Sequence, residues 1–168
     1  ACEAEHSVTT FSYLFKEKEK PGTFYPDKAS ALGVPKGELW HKLQQGEEIT
    51  IENKSIKPSQ VLGPNISGKK IGVSGDTRPT KKLEKFFRNC DYLIFDSTFS
   101  DELKEKAIQS CHSTAKEAAV FAKNADVKNL ILTHFSARYK DEKVLLNEAK
   151  TIHNSVIAAN DQLKIDVV

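Results

Sequence analysis

The sequence predicts an α/β fold, because short apolar strand segments alternate with amphipathic helix segments through its second half. Residues 70–73, 92–95 and 130–132 form short, largely apolar runs, and the run at 92–95 is typical of a strand covered on both faces. Between the first two runs, apolar residues recur with the spacing of one helix face: Leu83, Phe86, Phe87 and Cys90.

Composition limits the classes of protein that this chain can be. With 168 residues, 39% of them apolar, the chain has the size and composition of one globular domain over residues 1–168. No uninterrupted apolar run approaches the roughly 20 residues that span a bilayer. The odd number and irregular spacing of Cys2, Cys90 and Cys111 argue against a disulfide framework and predict a cytoplasmic protein. A net charge of +2 excludes a strongly basic nucleic-acid binder, so any such site would be local.

The first half of the chain reads as strands and loops with one short helix. Alternating polar and apolar residues predict a half-buried strand from Ser7 to Phe15, followed by a charged turn at residues 16–22. Residues 26–46 indicate loop and short helix, with Leu39, Trp40 and Leu43 on one face. Two further short strands are expected at residues 48–52 and 60–62.

The second half is more regular. Thr80 is a candidate N-cap for the helix over residues 81–90, and a further helix is expected from about Asp101. The residues Thr114-Ala115-Lys116-Glu117 have the pattern of a capping box and begin a helix that is expected to end near Asn124. A helix from Asp141 to Ile152 and a last strand from Leu163 to Val168 complete the prediction.

Polar residues that packing does not require stand at the ends of three predicted strands. Asp76, Asp96 and His134 each lie at or just beyond one strand end. Ligands of open α/β sheets bind beyond the carboxyl ends of the strands, and imidazole and carboxylate together favour zinc, with manganese or iron as alternatives. A turn-forming role for the aspartates and a structural role for His134 are also compatible with the pattern.

His112, Ser113 and Thr114 come directly before the capping-box helix. Backbone amides, two hydroxyls and an imidazole therefore gather at the positive end of the helix dipole, which is suited to phosphate. Alternatively, the hydroxyls only cap the helix and His112 faces solvent. Arg138 can add a bidentate contact to a phosphate, although isolated arginines are often simply solvated. His6, on pattern alone, is a surface histidine.

Several of these segments together resemble tRNase Z of the metallo-β-lactamase superfamily, in the same order and over nearly the whole chain. The family's His-Glu-Ala-Thr-Phe segment appears here as residues 95–99, with Asp96 in place of its glutamate, so the resemblance assigns no role to Asp96. The matching segments are Glu5-His6-Ser7, Gly33-Val34-Pro35-Lys36-Gly37, Gly75-Asp76-Thr77-Arg78-Pro79, His112-Ser113-Thr114-Ala115 and Leu132-Thr133-His134-Phe135-Ser136-Ala137-Arg138-Tyr139.

The resemblance implies a fold and a metal centre. The fold would be a metallo-β-lactamase-like αββα sandwich, of which residues 1–168 supply the C-terminal half as a mixed sheet with outer helices. His6 would bind one zinc ion, His134 a second, and Asp76 would bridge both. The family's main motif, His-x-His-x-Asp-His, is absent from this sequence, so the remaining ligands are expected upstream. A homodimer is also implied.

The resemblance further implies a reaction. His112 would be the general acid, and Ser113, Thr114, Ser136 and Arg138 would hold phosphate oxygens. The activity would be a zinc-dependent endoribonuclease that removes the 3′ trailer of precursor tRNA and leaves a 3′-hydroxyl on the tRNA, with the fragment inactive alone. Two alternatives stay open at this point: a non-catalytic RNA- or phosphate-binding module, and another phosphodiesterase of the same superfamily.

Overall fold

The computed structural model describes residues 1–167 and divides into two compact units. The first unit combines residues 1–16 with the chain from Lys69 onward, and the second comprises Glu17–Gly68. The expectation of a single domain over residues 1–168 stays a prediction. In the described part of the chain, no helix has the length and apolar character needed to cross a membrane.

The first unit contains a six-stranded mixed sheet. Its strands are β1 (Cys2–Glu3), β2 (Phe11–Lys16), β5 (Lys70–Val73), β6 (Tyr92–Asp96), β7 (Asn129–Thr133) and β8 (Val156–Ala158). They lie side by side in the order β1-β2-β5-β6-β7-β8. Strands β5, β6, β7 and β8 are parallel, whereas β2 pairs antiparallel with β5 and β1 antiparallel with β2.

Helices cover one face of this sheet and form the main core. Gly72 permits their close approach, because a Cβ atom there would lie 2.5 Å from a ring carbon of Phe87. The rings of Phe95 and Phe121 pack against each other in this core, with centroids 4.5 Å apart. The helices of this unit are α3 (Lys81–Phe86), α4 (Lys104–Gln109), α5 (Ala115–Asn124) and α6 (Lys143–Lys150), and a 3₁₀ turn at Asp101–Leu103 precedes α4.

The opposite face of the sheet is also apolar and is only partly covered. The end of the described chain, residues 159–167, lies against it and encloses a cavity of about 400 Å³ with Ile71, Ile94 and Ile131. Tyr92 Oη donates to the carbonyl of Asp166 at 3.4 Å. The side chains of β2 on this face remain open to solvent: Phe11, Tyr13 and Phe15.

The second unit is small and has its own core. It contains α1 (Pro26–Ala31), α2 (Glu38–Gln44) and the antiparallel hairpin of β3 (Ile49–Ile51) and β4 (Lys54–Ile56), followed by a 3₁₀ turn at Pro58–Gln60. The buried residues are Ala29, Val34, Leu43, Ile49, Ile56 and Val61.

Three sequence predictions of secondary structure need correction. The strand expected at Ser7–Phe15 begins only at Phe11, so His6 lies in the turn before it. Residues 60–62 do not form the second hairpin strand, which is β4. Leu163–Val168 was expected as the last strand, but residues 163–167 are not in a strand and Val168 lies outside the described residues; the edge strand is β8. Whether these residues form a strand depends on pairing with a neighbouring strand, which the local sequence pattern does not show.

Candidate active site

Three loops at the carboxyl ends of β5, β6 and β7 carry the predicted polar residues to one edge of the sheet. These strands are adjacent and parallel, so Asp76, Asp96 and His134 emerge side by side. Two backbone positions in these loops have left-handed conformations, with φ of 64° at Gly75 and 63° at His134. A non-glycine residue held there is typical of functional loops.

His6 reaches this edge from the turn between β1 and β2. An isolated antiparallel bridge between Glu5 and Arg78 places it beside the loop that carries Asp76, and Glu5 N donates to Thr77 Oγ1 at 3.1 Å. His6 Nδ1 lies 3.0 Å from the carbonyl oxygen of Cys111, which can only accept. His6 Nδ1 therefore carries the proton, and Nε2 is the nitrogen available to a ligand.

Asp76 is the predicted bridging ligand of the two metal ions. Its Oδ2 lies 3.5 Å from His134 Nε2. Ligand atoms of His6, Asp76 and His112 also lie within 4.8 Å of one another. The structure thus brings Asp76 close to both His6 and His134, the two histidines that the sequence assigned to separate metal ions.

His112 lies between the other two histidines. Its ring centroid is 5.0 Å from that of His6 and 4.9 Å from that of His134, with which it stacks. Its Nδ1 lies 2.7 Å from Asp96 Oδ2. The imidazole is thus oriented by a carboxylate, and its Nε2 is left for the site.

Asp96 is fully buried and receives several hydrogen bonds. Its side chain is 0% exposed. The backbone N–H of Thr77 donates to Oδ2 at 3.0 Å, and those of Thr98 and Ser113 donate to Oδ1 at 3.1 and 3.4 Å. With the His112 contact and the Thr98 hydroxyl, these bonds satisfy the carboxylate completely, as a buried acceptor requires.

A buried ion pair supports the loop that holds His112. Arg78 Nη1 and Nη2 donate to the two carboxylate oxygens of Glu117 at 2.8 and 2.5 Å, and Nη1 also donates to the carbonyl of His112. The two side chains are 13% and 15% exposed. Burial raises the pKa of Glu117, but hydrogen bonds from Arg78 and Thr114 and the charge of Arg78 outweigh it, so the net pKa lies below its usual range.

Ser113 and Thr114, predicted to bind phosphate, are fully buried. Ser113 Oγ donates to the carbonyl of Thr77 at 2.6 Å, and Thr114 Oγ1 accepts from Glu117 N in the capping box that the sequence predicted. The Glu117 carboxylate accepts from Thr114 N in return. The hydroxyls of Ser113 and Thr114 therefore support the His112 loop and the start of α5. The carboxylates of Asp96 and Glu117 accept the backbone N–H groups at the positive, N-terminal end of α5, where a phosphate was predicted to bind.

Ser136 and Arg138, the other predicted phosphate contacts, lie at the rim of the site. Arg138 Nε donates to Ser136 Oγ at 3.0 Å, and its guanidinium lies 5.1 Å from the centre of the Phe99 ring. Tyr139 anchors this loop, because its hydroxyl donates to Ser100 Oγ at 3.0 Å. The exposed arginine can meet an anionic ligand that approaches His134.

The donor set suits a divalent metal ion such as zinc. Two ligands of a tetrahedral zinc ion, each about 2.0–2.2 Å from it, lie about 3.4 Å apart, which matches the 3.5 Å between His134 Nε2 and Asp76 Oδ2. The ligand atoms of His6, Asp76 and His112 lie within 4.8 Å of one another, which is close enough for one ion to be shared by side chains of this group. The predicted ligands His6, Asp76 and His134 could hold such an ion, because imidazole and carboxylate are common ligands of zinc.

Sequence reasoning did not predict three contacts of the site: Asp96 with His112, Thr98 with His134, and Arg78 with Glu117. It considered Asp96 only as a candidate metal ligand or turn former at a strand end, and Arg78 only as part of a motif. The signal for Asp96 was its position at the end of a continuously apolar strand, where a charged residue needs partners. No local pattern pairs it with His112, which is 16 residues away.

Comparison with known proteins identifies the family. A sequence family described as "Beta-lactamase superfamily domain" matches residues 27–135. The chain belongs to this superfamily. The superfamily's α/β architecture agrees with the mixed sheet and outer helices described above, so the predicted fold class is confirmed.

Relatives of this chain also confirm its resemblance to tRNase Z. It is 64% identical over 166 residues to "Ribonuclease Z" of Nitrosopumilus maritimus, covering 99% of this chain and 56% of that protein. It is 46% identical over 169 residues to "Ribonuclease Z" of Archaeoglobus fulgidus, covering 99% of this chain and 55% of that protein. The chain therefore spans about half the length of these relatives.

A solved structure agrees with the superfamily assignment. The metallo-beta-lactamase fold protein YhfI from Bacillus subtilis superposes with a TM-score of 0.50 at 26% sequence identity. The alignment covers 54% of this chain and 37% of YhfI.

Proposed function

We propose that this chain is part of a zinc-dependent endoribonuclease that removes the 3′ trailer from precursor tRNA. The proposal is supported by the relatives named Ribonuclease Z, which align with 99% of the chain. The single observation that carries it is the gathering of His6, Asp76, His112 and His134 at one sheet edge. Hydrolysis of a phosphodiester bond needs an activated nucleophile, charge stabilisation and a proton donor, and these residue types can supply all three.

The metal ligands of the proposal are His6, Asp76 and His134, with Asp76 shared between two ions. The other ligands would come from a part of the enzyme outside these 168 residues. A zinc ion held by these residues would supply a nucleophile near neutral pH and would stabilise negative charge on the attacked phosphoryl group. The open geometry around His134 supports this role, because its side chain is 44% exposed at the sheet edge.

His112 is the proposed general acid. Its Nδ1–H is held by Asp96, so Nε2 is the atom that delivers a proton to the departing 3′ oxygen of the tRNA. Asp96 fixes the ring in one orientation and stabilises the imidazolium before transfer, as a carboxylate partner does for other catalytic histidines.

The proposed substrate contacts are Ser136 and Arg138, which would hold phosphate oxygens next to His134. Ser113 and Thr114 would contribute through the shape of the His112 loop, since their hydroxyls already bond within the protein. The substrate is precursor tRNA, the working assembly a homodimer, and the place of action the cytoplasm.

The test is a cleavage assay with precursor tRNA. One sample is this chain alone, and the other joins it to the part of the Nitrosopumilus maritimus relative outside the aligned region. We expect no cleavage by the chain alone. The joined protein should leave a 3′-hydroxyl on the tRNA, lose activity with a chelator and regain it with zinc.

Variants of the joined protein define the site. Asp76→Asn and His134→Ala should abolish cleavage, whereas Asp27→Asn, at an exposed position of the second unit, should not. Tight RNA binding without cleavage would favour the binding module. Cleavage of a simple phosphodiester but not of precursor tRNA would contradict tRNA processing and favour another phosphodiesterase of the superfamily.

A further inference from the structure

A continuous chain of hydrogen bonds beneath the site connects His112 with His134. Asp96 Oδ2 lies 2.7 Å from His112 Nδ1, and Asp96 Oδ1 lies 2.7 Å from Thr98 Oγ1. Thr98 Oγ1 in turn lies 2.8 Å from His134 Nδ1. One buried carboxylate therefore contacts the first histidine directly and the second through a threonine hydroxyl.

The atom that carries each proton in this chain can be inferred from the groups that can only donate a hydrogen bond. Backbone N–H groups point at both Asp96 oxygens, which therefore act as acceptors. The Thr98 hydroxyl must then donate its single proton to Asp96 Oδ1, because no other proton lies between these two oxygens. The remaining lone pairs of Thr98 Oγ1 can only accept, so the proton on this side of His134 belongs to Nδ1.

This arrangement selects one tautomer of His134. With the proton on Nδ1, the lone pair is on Nε2, which is the nitrogen 3.5 Å from Asp76. Which ring nitrogen of a histidine is protonated is set by the hydrogen bond of the other one. Because the His134 ring is 44% exposed, Thr98 is the buried partner that holds the ring from the protein side.

We propose that Thr98 is a positioning residue that fixes His134 as an Nε2 ligand, and that Asp96 thereby sets the proton positions of His112 and His134 together. The metal part of this inference depends on the proposed function. The proton positions do not, so they can be measured on this chain without metal or RNA. Partners of metal-binding histidines typically affect metal affinity by 10–100-fold.

The first experiment is ¹⁵N NMR of the histidine rings in the metal-free chain at neutral pH. We expect the proton of His134 on Nδ1 in the natural protein and in Thr98→Ser, which keeps the hydroxyl. In Thr98→Val, which removes it, His134 should become a mixture of tautomers, while His112 stays protonated on Nδ1. Thr133→Val changes the neighbouring residue without touching the hydrogen-bond chain and should leave His134 as it is.

The NMR measurement on the natural protein alone can contradict the proposal, so the test does not depend on the folding of Thr98→Val. A proton on Nε2 of His134 in the metal-free chain would contradict it. So would an unchanged Nδ1 signal in a folded Thr98→Val protein, or a failure of Thr98→Ser to restore that signal.

The second experiment is titration with Co²⁺, followed by its visible absorbance. We expect Thr98→Val to weaken binding 10–100-fold and Thr98→Ser to restore most of the affinity. His134→Ala separates the two proposals. If His134→Ala leaves Co²⁺ affinity unchanged, the metal role of His134 is wrong, although the NMR result can still stand. If His134→Ala weakens binding but Thr98→Val does not, the positioning role is wrong.

Discussion

Three histidines meet at the sheet edge, and each is held through Nδ1. His6 bonds to a backbone carbonyl, His112 to a carboxylate and His134 to a hydroxyl. Each contact leaves Nε2 of the ring available to the site, so the same side-chain type can act as a proposed metal ligand or as the proposed proton donor.

The proposed general-acid role of His112 predicts that the effect of its removal depends on the leaving group. In the joined protein, His112→Asn should lower cleavage of precursor tRNA by about 10²–10⁴-fold, because the 3′ oxygen departs without a proton. Hydrolysis of bis(p-nitrophenyl) phosphate, whose leaving group needs no proton, should change little. His41→Asn, a surface change in the second unit, is the control for both assays. Equal losses on both substrates would show instead that His112 acts as a metal ligand.

The ion pair between Arg78 and Glu117 predicts a loss of stability in Arg78→Lys. Lysine keeps the charge but cannot reproduce the two parallel hydrogen bonds, so we expect the free energy of unfolding to fall by about 1–3 kcal/mol at neutral pH. Arg88→Lys, at an exposed pair with Asp126, should stay within about 0.5 kcal/mol of the natural protein. Urea denaturation measures both variants.

The same pair predicts how that loss varies with pH. Burial raises the pKa of Glu117, but its hydrogen bonds and the Arg78 charge lower it further, so the net pKa lies below the usual range. A lowered folded-state pKa contributes stability above the unfolded value of about 4.3, and that stability is lost as the pH falls through the folded-state value. The difference between the natural protein and Arg78→Lys should therefore shrink in acid. A constant difference would contradict the assignment.

At the scale of elements, α5 positions the site from its N-terminus. The N-cap Thr114 stands two residues after His112, and Glu117, its partner in the capping box, also accepts hydrogen bonds from Arg78. Helix start and histidine loop are therefore stabilised by the same carboxylate. A change at this cap alters both the helix and the geometry of His112.

Because Thr114 caps the helix next to His112, its removal should affect activity, whereas removal of the N-cap Thr80 should not. Thr114→Ala and Thr80→Ala each remove an N-cap, of α5 and α3, and each should cost about 0.5–2 kcal/mol in the free energy of unfolding. In the joined protein, only Thr114→Ala should also lower kcat for precursor tRNA. Equal kcat values for the two variants, at matched stability, would show that the cap does not position His112.

At the scale of the whole chain, the sheet of the first unit has two unequal faces. Helices cover one face fully, whereas the other is covered at the parallel strands by residues 159–167 and remains open at β2. Phe15 there is 61% exposed. Part of this second apolar face is therefore covered by the chain itself.

Removal of residues 160–168 should expose this second face. Ile71, Ile94 and Ile131 would lose a partner, so we expect lower stability and stronger fluorescence of a hydrophobic dye than in the intact chain. Leu163→Ser with Ile165→Ser tests the same contact without shortening the chain. Dye binding that stays unchanged in both variants would contradict a covering role for the segment.

Elements with strong local signals were predicted well from sequence. The apolar run at β6, the N-terminal part of α3 and the capping box of α5 each depend on a few neighbouring residues, and the structure confirms them. Helix α3 ends at Phe86, before the predicted end at residue 90. The edge strand β8 was missed because three residues with little pattern become a strand only through pairing with β7. The segment at 163–167 has a strand-like composition but packs on the sheet face.

The fold class and the family can be predicted from the sequence alone, because apolar periodicity, caps and motif strings are properties of local order along the chain. The same local signals identify the loop ends that carry Asp76, His112 and His134. The three-dimensional fold was needed to show that Asp96 holds His112, that Thr98 contacts His134 and that Ser113 and Thr114 are buried. These contacts join residues from separate strands and loops, and the hydrogen-bond partner of a buried group is set by which loops the sheet brings together.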